Sequence, residues 1–353
     1  MHNISNRMLE RLSLRLTAAI TLVTLSTTTA TVPPARAGYV AHRSSSSQLV
    51  QGSSAPTDRT TSAQTPTPIP GSSVSLVAPT GFVLSNQFSG FINIDNSSSI
   101  VVAELPLEAH AEMTDILSST PAAVTAAFAE RGVELEVESI SSLVVGENQV
   151  PLVVGTQTIN GIQVTKYFTL FAAESTLLLT FNVTKSAELS EETVVETIRS
   201  IQIAPVLSIE QKVAELPFRF ETEAPFRVSD VLVGSAVLLT LEDTSPSEGT
   251  PLVVIASSVS PVLAVDLPTF SAQLLQNSED FSDGTITSQS PIEFAGGEGY
   301  FTSMDLSDSM AFQYVRILPN NFYIRMLAVG DAQTLEDLTP SIEAIQRSVE
   351  AEL

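Results

Sequence analysis

The stretch GFVLSNQFSG at residues 81–90 returns in altered form as PFRVSDVLVG at 225–234. Phe82, Ser85 and Gly90 line up with Phe226, Ser229 and Gly234, each pair 144 positions apart. The echo continues. TLLLTFNV aligns with YIRMLAV at a spacing of 146, and Glu196 with Glu343 at 147. A spacing that drifts by a few residues over so long a chain is the mark of a duplicated unit with insertions confined to loops. The fold must therefore be one that closes in about 140 residues and is used twice, each unit being large enough to hold its own core.

Each unit reads as three strands, a helix, four strands and a closing helix. In the first unit, about 75–205, FVLS, FINID and SIVVAEL open the pattern. TPAAVTAAFAERG follows as a helix with Thr120 as N-cap, Pro121 as first residue and Gly132 as stop. LVVGTQTI and IQVTKYFTLF flank Asn160-Gly161, a turn pair suited to positive φ at both positions. SEETVVETIRSIQ closes the unit, capped by Ser190 or Thr193. In the second unit, about 215–353, a glycine-rich turn at Gly296, Gly297 and Gly299 and the turn Pro319-Asn320-Asn321 mark two hairpins. TPSIEAIQRSVE is the closing helix, with Thr339 as its expected N-cap. Strand runs joined by tight turns imply antiparallel sheets covered by helices. The expected class is α+β: two tandem duplicated domains, each a sandwich of sheet and helices. A fragment 215–353 is then expected to fold alone.

The chain before the repeats has a different character. Arg7, Arg11 and Arg15 precede the apolar run Leu16–Leu25, and Ala35-Arg36-Ala37 supplies a small-residue cleavage site. That is the layout of a secretory signal peptide over residues 1–37. Its apolar run is shorter than the roughly 20 residues a membrane span needs. Residues 38–74 are rich in Ser, Thr, Pro and Gln, and read as a disordered tether whose TPTPIPG end favours polyproline geometry. The domains are thus 1–37 signal peptide, 38–74 tether, 75–205 first repeat and 206–353 second repeat. The chain has no cysteine, which excludes a disulfide framework, a thiolate nucleophile and a lipid-anchored cysteine. A periplasmic or secreted location follows, with no membrane insertion after signal cleavage.

The 353-residue chain has a formal charge of −23. Residues 1–37 hold four arginines and one glutamate, so the remainder stands at −26. Such a field repels nucleic acid and anionic lipid.

The closing architecture resembles a known family. A Phe-led strand opens each unit, a long meander fills the middle, and a strand runs straight into ETIRSI or EAIQRSV. This resembles tandem PsbP-like superfamily domains over residues 75–353, although no Trp stands in the first strand where relatives often carry one. The resemblance implies an exported, non-enzymatic accessory or binding domain, and it carries over no site residues.

Few residues suggest chemistry. His42 lies in the tether and His110 just before the first helix, and no Gly-x-Ser-x-Gly elbow accompanies them. Oxygen-rich loops offer candidates for Ca2+: Glu279, Asp280 and Asp283 in SEDFSDG, and Asp305 and Asp308 in MDLSDS. Arg316 and Arg325, in YVRIL and YIRML, stand on neighbouring strands of an acidic protein and suggest a shared sheet face able to bind an anion. The expected function is an exported non-catalytic binding or assembly-accessory protein, with another envelope or secreted protein as partner. The alternatives are a calcium- or small-ligand-binding protein using an interdomain groove, and a hydrolase working with carboxylates alone.

Overall fold

The computed structural model describes residues 65–130, 133–159, 162–241, 250–262, 266–277, 281–307 and 309–352. The signal-peptide segment, most of the tether, Gly132 and the Asn160-Gly161 turn lie outside them. The chain enters through two short strands, β1 (Thr67–Pro68) and β2 (Val74–Leu76). The first large sheet follows: β3 (Val83–Leu84), β4 (Gly90–Asn93), β5 (Ser98–Leu105), β6 (Glu136–Val145), β7 (Asn148–Ile159), β8 (Ile162–Ala172) and β9 (Thr176–Thr184). Between β5 and β6 lie α1 (Ala109–Leu117) and α2 (Pro121–Ala129), and after β9 comes α3 (Glu191–Arg199). β10 (Gln202–Ile203), α4 (Ile209–Val213) and β11 (Phe218–Arg219) form the crossing. The second sheet holds β12 (Phe226–Leu232), β13 (Ala236–Leu241), β14 (Leu252–Ser257), β15 (Thr285–Phe294), β16 (Gly297–Asp305), β17 (Met310–Ile317) and β18 (Tyr323–Gly330). It carries α5 (Leu267–Gln276) after β14, then α6 (Ala332–Asp337), α7 (Thr339–Ser348) and β19 (Glu350–Ala351) at its end.

Both large sheets have seven strands, all pairings are antiparallel, and the strand order is the same. It runs β3-β4-β5-β9-β8-β7-β6 in one and β12-β13-β14-β18-β17-β16-β15 in the other. Each outer hairpin carries one irregularity at a matching place, between Val137 and Ser139 and between Ile286 and Ser288. The helices are short, so the molecule is richer in strand than an even α+β sandwich.

Local chemistry explains the elements that were expected. Thr120 accepts from the Ala123 amide at 3.3 Å, with Pro121 behind it. Ser190 accepts from the Thr193 amide at 3.2 Å, and Val194 and Ile198 form the buried stripe of α3. Ile159 pairs with Ile162, and Phe294 with Gly297 across Ala295 and Gly296, both of the latter at positive φ. Other elements correct the sequence reading. Residues 65–74, expected in the tether, carry a strand, and Ile69 and Val74 are buried. His110 lies inside a helix, α1. Thr339 does not cap α7; its hydroxyl donates to the Leu335 carbonyl at 3.2 Å, because α6 leads straight into that helix.

The closing helices pack alike. Val194 and Ile198 of α3 sit on Leu177, Leu179 and Phe181, and Ile342 and Ile345 of α7 sit on Ile324 and Met326. This fixes the equivalence of β9 and β18. A spacing of 146 would carry Leu177 onto Tyr323, which faces α5 instead. The strands align only after a shift of one residue, since a single-residue slip turns every side chain to the other face.

On the opposite faces the expectation of separate cores fails. One cluster joins Val101, Phe168 and Leu178 of the first sheet, Met113 of α1 and Val124 of α2 to Leu232, Val233, Ala236 and Leu238 of the second. Beyond this shared core, α5 covers the rest of the second sheet's face through Phe270, Leu274 and Leu275.

Candidate functional site

The junction between the units holds a buried polar region. Ser208 caps α4 in a reciprocal capping box with Gln211, which holds the short helix in place. That helix delivers Lys212, whose Nζ lies 2.7 Å from Glu104 Oε2 on β5. Glu104 Oε1 accepts from both the amide and the hydroxyl of Ser73, each at 2.5 Å. Glu104 and Lys212 are both about 8% exposed. One buried carboxylate thus ties together the entry strap, the first sheet and the crossing helix.

A second contact lies nearby. The Ser89 amide donates to the Val233 carbonyl at 2.8 Å, and the Ser89 hydroxyl to the Pro70 carbonyl at 2.8 Å. Gly234 is at φ +60, and a Cβ there would stand 2.1 Å from Ser89 Oγ. The Ser257 hydroxyl donates to Gln87 Oε1 at 3.1 Å. The repeated glycines are therefore not interchangeable. Gly90 lies in a strand, where a Cβ would meet the Ile100 carbonyl at 1.9 Å, and Gly234 makes room for the other unit. Beside the junction is an open depression of about 370 Å³, lined by Pro68, Ile69, Pro70, Leu207, Gln211 and Glu215 among others.

The acidic candidates do not converge. Asp283 and Asp305 are exposed, at a turn and at the end of β16. Glu279, Asp280 and Asp308 lie outside the described residues. Among the described residues no three His, Asp or Glu side chains gather as a metal would require.

The two arginines do not share a face. Val315 pairs with Arg325, and Arg316 with Ile324. Directly paired residues point the same way, so Arg316 and Arg325 point oppositely. Arg316 lies over the hairpin tip and donates to the Ala295 carbonyl. A Cβ on Gly297 would meet its guanidinium carbon at 2.7 Å. Arg325 faces the other way, and burial lowers its pKa to about 10.

Two charges buried within strands of the first sheet were not singled out from the sequence. Glu104 lies in SIVVAEL and Lys166 in IQVTKYFTLF. A lone charge inside a continuous apolar strand is the signal that would have found them, because such residues are almost never fully buried without a reason. Lys166 is fully buried, its Nζ has no hydrogen-bond partner, and burial lowers its pKa to about 7. It pairs across β8 and β9 with Asn182, whose Nδ2 donates to Ser99 Oγ at 2.9 Å.

No family model matches the chain, and no curated protein matches it. Among solved structures it is similar to the apo immunity protein TplEi of the T6SS from Pseudomonas aeruginosa. The identity is 11% and the TM-score 0.29, over 80% of this chain and 95% of that one. It is also similar to a chain in the crystal structure of the Tle4–Tli4 complex, at 10% identity and TM-score 0.29, over 78% and 99%. At such scores the likeness carries no function across. Among the described residues no helix is long and apolar enough to cross a membrane.

Proposed function

We propose that the protein is an exported, non-catalytic binding or assembly-accessory protein that recognises another envelope or secreted protein. The observation that carries this reading is the outer strand β15. It is an edge of the second sheet, and seven of its ten residues are exposed. From Thr285 to Ile292 it holds no charged residue, in a chain with 39 acids. Exposed edges offer unpaired backbone groups to a partner strand and are commonly blunted by charge. Here Pro291 and the irregularity before Ser288 limit indiscriminate pairing while the stretch from Thr285 to Ile292 stays free of charge. A relation to PsbP-like accessory domains belongs to the same proposal, as do the origin of the two units by duplication and a periplasmic or secreted location.

The test is a photo-crosslinking residue at Ser288 or Ser290 in the protein expressed in its own host, followed by mass spectrometry. One stoichiometric protein partner, lost when Ser290 is replaced by Lys, is the expected result. Labelling with no discrete partner at either position would remove the reading. The depression beside Pro70 and Glu215 favours one alternative, a small ligand at the junction. It predicts a thermal shift on adding Ca2+ or small metabolites.

A further inference from the structure

We infer that the β3 edge of the first sheet is a docking site for a short, extended, apolar segment of another protein. The two large sheets have four edge strands, β3 and β6 in one and β12 and β15 in the other. Three of them carry the features that discourage strand addition. β6 has Glu136, Glu138 and an irregularity, and β12 has Arg227, Asp230 and an irregularity of its own. β15 has Pro291, Glu293 and a third. β3 has none of these, and no charged residue stands from Thr60 to Ile94.

Apolar side chains are open at this edge. Val83 is 51% exposed, Leu84 40%, and Ile94, which follows β4, 75%. Among the described residues no other large apolar side chain is as exposed as Ile94. Val83 pairs with Ile92 and Leu84 with Phe91, so Val83 and Leu84 lie on opposite faces of the sheet. Ile92 packs against the shared core and Phe91 in the core under α3. The edge therefore continues both cores into solvent.

The backbone is open as well. The Ser85 amide donates to the Gly90 carbonyl at 3.0 Å, which marks these two as a hydrogen-bonded pair. The alternation of an antiparallel ladder then turns the Leu84 amide and carbonyl away from β4. An added strand would bond to those groups and lay its side chains along both faces. Each face offers apolar contact, so the segment must be apolar at consecutive positions, whereas a half-buried strand would alternate. A charge within it would be buried without a counterpart. Three side chains fall well short of the roughly 800 Å² per partner that a stable protein–protein interface buries. The occupant is thus a short segment and not the globular surface of a second copy. A bilayer is disfavoured, since it would leave the Leu84 backbone groups without partners. The site is separate from β15 and does not rest on the reading given there.

The test uses the full mature chain and three capped synthetic peptides with Gly-Ser flanks. Their central runs are Val-Ile-Val-Leu, Val-Thr-Val-Thr and Val-Lys-Val-Lys. Binding is followed by fluorescence anisotropy and by hydrogen exchange at the Leu84 amide. The first peptide should bind saturably and slow that exchange, and the other two should bind far more weakly. Val83→Lys and Ile94→Asp, both at exposed positions, should each abolish binding, and Ser290→Lys on β15 should leave it unchanged. No binding, equal binding of the three peptides, or binding that survives Val83→Lys would overturn the assignment. A dimer in sedimentation that Val83→Lys dissociates would overturn it in favour of a second copy. Retention on phosphatidylcholine vesicles, lost in Val83→Lys, would overturn it in favour of lipid.

Discussion

The first sheet fully buries a lysine and the second half-buries an arginine, each on the face turned away from its closing helix. The strand orders are the same, yet the two cations answer burial differently. Lys166 is held so that its amine gives up the proton near neutrality, so its site can be apolar and unpartnered without holding a fixed charge. Arg325, which is only half-buried, keeps its charge although burial lowers its pKa to about 10. The same architecture thus holds an amine that loses its charge near neutrality in one unit and a half-buried, charged guanidinium in the other.

The coverage of these faces differs as well. In the first sheet α1 and α2 share the face with the neighbouring unit, and in the second α5 leaves β12 to β14 for it. The two units are therefore unequal partners in one core. The sharpest way to break the comparison is to separate them. A fragment 215–353 retains the cluster under α7 but exposes Leu232, Val233, Ala236 and Leu238. It should bind a hydrophobic dye, self-associate and unfold without a sharp transition. A monomeric fragment with a cooperative transition would show that the shared core matters little to the second unit.

Next in size is the carboxylate at the junction. Glu104→Ala would leave Lys212 buried without its partner and would remove the acceptor of Ser73. Breaking a buried pair from one side costs about 3–5 kcal/mol. Chemical denaturation should show a loss of that order, and Lys212→Met in the same background should recover much of it. A loss under about 1 kcal/mol, as exposed pairs give, would mean that the junction is not sealed by this pair.

Lys166 gives an effect with a distinctive dependence on pH. Its folded pKa, about 7, lies below the ordinary 10.5. Between those values the unfolded chain binds the extra proton and the folded chain does not, so stability rises with pH across that window. The slope from this one group is at most about 1.4 kcal/mol per pH unit. Below about 7 the contribution is flat and at its least favourable. Lys166→Met should remove the slope and stabilise the protein most at neutral pH and below. A slope unchanged by Lys166→Met would show that the amine is solvated in the folded state.

Much of this arrangement was legible in local chemistry. The hairpins at Ala295-Gly296 and Pro319–Asn321, the caps at Thr120 and Ser190 and the repeated strand order depend on neighbouring residues. What failed depends on register and on packing. A turn centred on Asn320 already sets Arg316 opposite Ile324 and Arg325 opposite Val315, so the opposite orientation of the arginines was present in the turn and was not read from it. Helix α1 gave no cap to read, since Glu108 is helical and makes no side-chain cap. The shared core was hidden for a further reason. Leu232, Val233 and Ala236 satisfy a strand pattern equally well whether their cover comes from their own unit or from the other.

The finest contrast lies between two glycines at nearly the same backbone angle. Gly146 is at φ +59 in the β6–β7 turn, and a Cβ there would meet nothing within 4 Å. Gly234 is at φ +60, and a Cβ there would meet Ser89 at its hydroxyl, amide and Cβ, at 2.1, 2.9 and 3.1 Å. Alanine at either site meets the same left-handed backbone penalty, about 1–2 kcal/mol. At Gly234 it must also displace Ser89, whose amide and hydroxyl anchor the entry strap and the second unit to the first. Gly146→Ala should therefore cost only the backbone term, and Gly234→Ala that term plus about 1–3 kcal/mol of overpacking. Subtracting one from the other isolates the contact between units from the conformational cost. Equal losses would show that Ser89 yields freely, and that the apolar core alone holds the two sheets together.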